Sequence, residues 1–235
     1  MEREIAFLRS AITPPDLTKA KLIVGTFNSK TVLLLRTGVG PLKTSQRLPE
    51  LTKGHLPQCV ISIGCAGALR PDMRIGDVVL SERLIDDTSE GRTYSPSASL
   101  VEAAKECCKK LGIPFHMGST VSTATVAATP EDKDSLARKH SAIAVDMESA
   151  QVAAWAEKLR ISMLSIRTIS DSSADRIPPE LSSVVDQNGK ILISKALRLF
   201  MGHPTLLFTL IRLKSKFDRS FDNLEKVVLM LLKRL

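Results

Sequence analysis

Apolar and polar positions fall into two kinds of stretch along this chain. One kind is short and almost continuously apolar: 21–27 (KLIVGTF), 31–40 (TVLLLRTGVG), 58–71 (QCVISIGCAGALRP), 76–86 (GDVVLSERLID), 115–127 (FHMGSTVSTATVA) and 161–170 (ISMLSIRTIS). Runs of that length predict strands buried within a sheet. Asn28-Ser29 predicts the turn between the first two. The other kind has helical spacing. It covers 1–12, with Ile5, Leu8 and Ile12 in step before Pro14-Pro15, then 100–113 with Gly112 near its end, then 149–160, and a long helix around 184–200. The segment 141–149 (SAIAVDMES) predicts a strand running into the helix that follows. Strands alternating with helices predict an α/β fold: one domain with a central, mixed, largely buried sheet flanked by helices. No internal repeat appears. The one plausible boundary, Gly202-His203-Pro204, separates a domain over 1–202 from a tail over 203–235.

The tail predicts an amphipathic helical appendage. Its apolar residues at 206, 210, 213, 217, 221, 224, 228, 231 and 235 step by three and four, which makes one stripe. Seven Lys or Arg against three acidic residues give it +4, half of the chain's formal +8. Two readings stand: a helix packed on its own domain or in a dimer, or a helix lying on the anionic inner face of a membrane as a peripheral contact.

The bulk numbers narrow the class. At 235 residues and 43% hydrophobic composition, the chain is long enough and apolar enough for one sizeable core. Cys59, Cys65, Cys107 and Cys108 show no metal-ligand spacing and no accompanying histidine cluster. Neither a zinc site nor a disulfide framework is indicated, and a reducing cytoplasm is the expected location. MEREIAFLRS is charged from its second residue, unlike a signal peptide. No apolar run approaches the roughly 20 residues of a spanning helix. An aromatic content of 4% and the lack of a recognised motif argue against a nucleic-acid partner.

Two glycine-bearing segments follow strands, TGVG (37–40) and GCAGA (64–68). Glycines let a backbone approach a ligand closely, and their amides can hold an anion. Neither segment matches a P-loop or a dinucleotide fingerprint. Small or polar residues nevertheless recur at five strand ends, near Thr37, Cys65, Ser122, Glu148 and Asp171, as in one lined pocket. Taken alone, Glu148 also reads as an acidic residue at a helix N-terminus, and Asp171 as a turn or N-cap residue.

TGVG (37–40), IGCAGALRPDMRIGDVVL (63–80), AVDMESAQVAAWA (144–156) and IRTISDSSAD (166–175) together resemble the nucleoside phosphorylase and nucleosidase superfamily, in its order and spacing, over most of residues 1–200. The resemblance implies cleavage of the N-glycosidic bond of a purine nucleoside, with no cofactor and with inorganic phosphate as co-substrate if the reaction is phosphorolysis. It implies that Glu148 hydrogen-bonds the ribose hydroxyls, that Met147 packs on the sugar, and that Asp171 protonates the departing base. Ser170 would help to place that base, and Arg167 would orient the acidic residue or lie near it. Glu4 would fall where nucleosidases carry the carboxylate that activates water. Cys65, Ala66, Gly67 and Val126 would line the substrate, and Arg36, Gly38 and Gly40 would hold phosphate. The chemistry agrees: such cleavage builds positive charge on the sugar and needs a proton donor for the base. An aspartic acid serves as donor at neutral pH when burial or a neighbouring negative charge keeps it protonated.

The sequence also departs from that pattern. The family's first strand would precede Met1, which favours a start codon assigned too late. Cys65 stands in place of a common serine, and Ser62 in place of an arginine that binds phosphate in some phosphorylases. The tail resembles that of hopanoid-associated phosphorylases, which implies adenosylhopane as the first candidate substrate. Methylthioadenosine or S-adenosylhomocysteine is the second, and a non-catalytic nucleoside- or lipid-binding protein is the rival of another class. The family implies a homo-oligomer.

Overall fold

The computed structural model describes residues 8, 22–52, 54, 56–177 and 221–235. The predicted helices over 1–12 (apart from Leu8, which is helical and buried) and 184–200, the tail from 203 to 220, and Glu4 lie outside the described residues. Strands β1 (Leu22–Phe27) and β2 (Lys30–Leu35) form a two-stranded antiparallel hairpin. Its turn residues Asn28 and Ser29 both have positive φ, the backbone a two-residue hairpin requires. A second, six-stranded sheet holds β3 (Cys59–Ala68), β4 (Val78–Asp86), β5 (Arg92–Tyr94), β6 (Phe115–Ser122), β7 (Ala144–Asp146) and β8 (Ser162–Asp171) in the order β5-β4-β6-β7-β3-β8. The first residues of β4 also pair with β8, so β4-β6-β7-β3-β8 closes into a ring with β5 attached to the far end of β4. The sheet is mixed: β3–β8, β4–β6 and β6–β7 run parallel, and β3–β7 and β4–β8 antiparallel.

Helices α1 (Pro41–Arg47), α2 (Ala98–Leu111), α3 (Pro130–His140) and α4 (Ser149–Leu159) connect the strands, and α5 covers 221–234. The hydrophobic pattern assigns nothing to 128–140, where α3 lies. This helix is set by local chemistry: the Thr129 hydroxyl accepts from the Asp132 amide, the Asp132 carboxylate accepts from the Thr129 amide, and Pro130 opens the first turn. The strand predicted over 115–127 stops at Ser122, because Thr123 turns the chain by donating from its hydroxyl to the Thr125 carbonyl at 2.7 Å.

The core lies between the sheet and its helices. α5 places Phe221, Leu224, Val227, Val228 and Leu231 against α2 and the sheet residues Val78, Leu80, Leu164 and Ile166. All five are at most 2% exposed, and Asn223 donates to the Gly76 carbonyl at 2.8 Å. The apolar stripe of the tail is thus buried on its own domain over this stretch, each such side chain contributing about 1.5–3 kcal/mol. Cys107 and Cys108 belong to the same core, and burial pushes the Cys108 thiol up to about 12. Among the described residues no helix is long and apolar enough to cross a membrane.

Candidate active site

A cavity of about 1320 Å³ opens beside the strand ends. Ligand sites of α/β sheets gather at such ends, and this volume exceeds the roughly 300–1,000 Å³ common for small-molecule pockets. One part of its wall is polar and small: Thr37, Gly38, Cys65, Gly67, Thr123, Glu148, Ser170 and Asp171. Another is apolar, with Val32, Leu34, Ile61 and Ile63 from β2 and β3 and Val228 and Leu232 from α5.

Met147 and Glu148 reach the cavity from the short turn between β7 and α4. That turn is fixed from below. Asp146, the last residue of β7, is 6% exposed, and its carboxylate accepts from Arg167 Nε at 2.7 Å, from the Ser122 hydroxyl at 2.5 Å and from the Ser149 hydroxyl. Arg167, itself 2% exposed, also donates to the Ser62 hydroxyl at 2.8 Å. The acidic partner of Arg167 is therefore Asp146, and the Ser62 hydroxyl is held by Arg167.

Glu148 sits at the N-cap position of α4 without capping it through its side chain. Its Oε1 instead accepts from the Gly40 amide at 2.7 Å, across 108 positions of sequence. Gly40 has φ 92° and ψ 161°, a conformation open to glycine and costly for any other residue. The glycine of TGVG is thus required by the backbone turn that aims its amide at Glu148. Met147 packs beside Gly40.

Asp171 and Ser170 reach the cavity through a bulge. β3 and β8 pair in parallel register up to Ala66↔Ile169, and the next pair is Gly67↔Asp171, which leaves Ser170 as the extra residue. Bulges re-aim side chains next to active sites, and here consecutive residues both border one cavity. The Ser170 hydroxyl donates to Asp171 Oδ1 at 2.8 Å. Asp171 Oδ2 lies 2.9 Å from where a Cβ on residue 67 would be, so only glycine fits there. Asp171 ends a strand and caps no turn. The group against it is a cation, not a second carboxylate: Lys133 Nζ donates to Oδ2 at 2.5 Å.

The remaining predicted residues divide. Cys65, Ala66, Gly67 and Val126 all line the cavity, Val126 being 50% exposed. Arg36 and Gly38 line it too, while the Gly40 amide is taken by Glu148. Sequence reading missed Arg47, which lines the cavity and donates to the Arg36 carbonyl at 2.8 Å, and Lys133. The one local signal for Lys133 is the T-P-E-D start of its helix. Among the described residues no group of three His, Cys, Asp or Glu side chains is arranged to hold a metal ion.

The model of the Phosphorylase superfamily matches residues 12–201. The chain belongs to the Phosphorylase superfamily. Its relatives in that superfamily include both phosphorylases and nucleosidases, and the chain is an enzyme of this glycosyl-transferring class. It is 31% identical to a DeoD-type purine nucleoside phosphorylase of Thermoanaerobacter sp. (strain X514) over 156 residues, which cover 63% of this chain and 67% of that one. It is 26% identical to a 5'-methylthioadenosine/S-adenosylhomocysteine nucleosidase of Marinomonas sp. (strain MWYL1) over 220 residues, 84% of this chain and 95% of that one. In structure, the superfamily fold is matched by the 5'-methylthioadenosine/S-adenosylhomocysteine nucleosidase of Neisseria meningitidis, in complex with methylthio-immucillin-A, with a TM-score of 0.76 at 21% identity over 100% of this chain and 96% of that one. The futalosine hydrolase of Helicobacter pylori matches with a TM-score of 0.76 at 19% identity, over 100% and 95%.

Proposed function

We propose that this enzyme cleaves the N-glycosidic bond of a purine nucleoside, with Asp171 passing a proton to the departing base and Glu148 holding the ribose hydroxyls. The observation that carries the reading is the convergence on one cavity of two carboxylates from different strand ends, each in a fixed setting. As the bond breaks, positive charge grows on the sugar, and the Glu148 carboxylate next to it lowers the energy of that state. Met147 packs under the sugar, and the Ser170 hydroxyl holds Asp171 Oδ1 in place. Arg36, with Gly38, is the candidate holder of phosphate if phosphate is the acceptor, and Glu4 is the candidate base if water is.

The first candidate substrate is adenosylhopane. The apolar wall formed by β2, β3 and α5 supports a substrate that carries an apolar group. The second is methylthioadenosine or S-adenosylhomocysteine, supported by the likeness to nucleosidases named for those compounds.

The test is adenine release from adenosylhopane and from methylthioadenosine, each with and without phosphate, with Asp171→Asn as control. Release that needs phosphate identifies a phosphorylase, and release without it a hydrolase. A folded protein that binds the nucleosides and releases no adenine would overturn the reading in favour of a binding protein.

A further inference from the structure

Lys133 is 1% exposed, and lysines are almost never buried to this extent without a partner. It is the one fully buried side chain of α3. Its ammonium has three protons and three acceptors: Asp171 Oδ2 at 2.5 Å, the Ser172 carbonyl at 2.7 Å and the Asp175 carbonyl at 3.4 Å. The capping box of α3 fixes the turn that carries it. Other charged groups around this pair have partners of their own or border the cavity from elsewhere. The Asp175 carboxylate accepts from the Ser172 amide at 2.8 Å, Glu131 pairs with Arg176 at 3.0 Å on the surface, and Asp146, which borders the cavity, pairs with Arg167. Asp132 caps α3, Asp134 pairs with Arg138 on its outer face, and Glu148, Arg36 and Arg47 line the cavity from other elements.

We infer that Lys133 is the source of the proton that Asp171 delivers. This rests on the assignment of Asp171 as the acid. The pair holds one proton in transit. The Nζ–H bond breaks as a bond from that proton to the Asp171 carboxylate forms, leaving a neutral amine that the Ser172 and Asp175 carbonyls still hold through its N–H groups. The carboxyl proton then goes to the base nitrogen while the electrons of the glycosidic bond pass to the base. The attacking water or hydrogen phosphate gives up a proton to solvent as it bonds to the sugar, and a proton from solvent restores the ammonium after the base has left. Lys133 acts through Asp171, so it is a positioning and proton-supplying residue with no substrate contact of its own. Asp171 thereby receives its proton without a second carboxylate beside it.

The experiment measures kcat and KM for adenine release against pH in the wild type, Lys133→Met, Lys133→Arg and Asp171→Asn, with thermal melting to verify folding. General acid–base steps contribute roughly 10²–10⁴-fold. Lys133→Met is expected to lose about 100-fold in kcat at neutral pH with KM within about threefold, and to regain about tenfold for each unit of acidification as Asp171 draws its proton from solvent. Lys133→Arg keeps a cation that gives up no proton, and is expected to be slow as well. A folded Lys133→Arg with wild-type kcat, or a Lys133→Met deficit of the same size at every pH, overturns the inference and leaves a structural tether. A wild-type kcat that itself climbs about tenfold per unit toward acid overturns it even if neither variant folds. An inactive wild type, or an active Asp171→Asn, would instead remove the assignment of the acid.

Discussion

Two buried ion pairs flank the site, and they differ in what they leave open. Arg167 and Asp146 meet at 2.7 Å with side chains 2% and 1% exposed. Both residues border the cavity, but their polar atoms are taken up by protein: the hydroxyls of Ser122, Ser149 and Ser62, the amide of Ser149 and the carbonyl of Ile166. Lys133 and Asp171 meet at 2.5 Å with exposures of 1% and 12%, so the cation is sealed and the carboxylate borders the cavity. A pair held on both sides by protein groups fixes geometry. A pair with one open acid can also exchange a proton with whatever enters. The chain uses the first to hold the turn that carries Glu148, and the proposed function rests on the second.

The largest expected effect separates the two pairs directly. Asp171→Asn is expected to lower adenine release about 10²–10⁴-fold, because the amide keeps the shape and supplies no proton. Near-wild-type release from this variant would erase the distinction. Next comes Arg167→Met, which leaves the Asp146 carboxylate buried and unpaired. Chemical denaturation should register a loss of about 3–5 kcal/mol, and adding Asp146→Asn should return much of it. If the double variant is as unstable as the sum of the singles, the two residues are not acting as a pair. Gly67→Ala inserts a methyl 2.9 Å from Asp171 Oδ2 and should displace the carboxylate. A shift of that kind is expected to cost about ten- to a hundredfold in kcat, measured as adenine release, with a smaller change in melting. Ser149→Ala removes one hydroxyl from the Arg167–Asp146 pair, and denaturation should show a loss of about 1 kcal/mol.

Much of the fold is legible along the chain because its strands are buried on both sides. β8, at positions 162–171, is buried at eight of ten residues and reads as a continuous apolar run. The alternation of such runs with helical spacing predicts an α/β sheet, and the structure has one. α3 was not legible from hydrophobic spacing because it buries so little: Leu136 and Ala137 pack only partly, and its buried residue is a lysine. The apolar stripe at 221, 224, 228 and 231 predicts a helix, but the stripe is the same whether it covers a protein core or a lipid surface. Its burial against α2 and the sheet is a tertiary fact.

The candidate site divides in the same way. The words TGVG, VDME and RTISD pick out Gly40, Glu148 and Asp171 through the family resemblance; taken alone, the glycine reads as part of a tight turn and the two carboxylates as helix-N-terminal or turn residues. Their partners could not be read from the sequence. Glu148 meets an amide 108 positions away, Asp171 meets a lysine 38 positions before it, and a one-residue bulge in β8 turns Ser170 and Asp171 toward one cavity. Local sequence determines which segments are strands and helices, because backbone preference and burial period act over a few residues. Which charge meets which is decided only when the sheet closes, because that register is a property of segments distant in the chain.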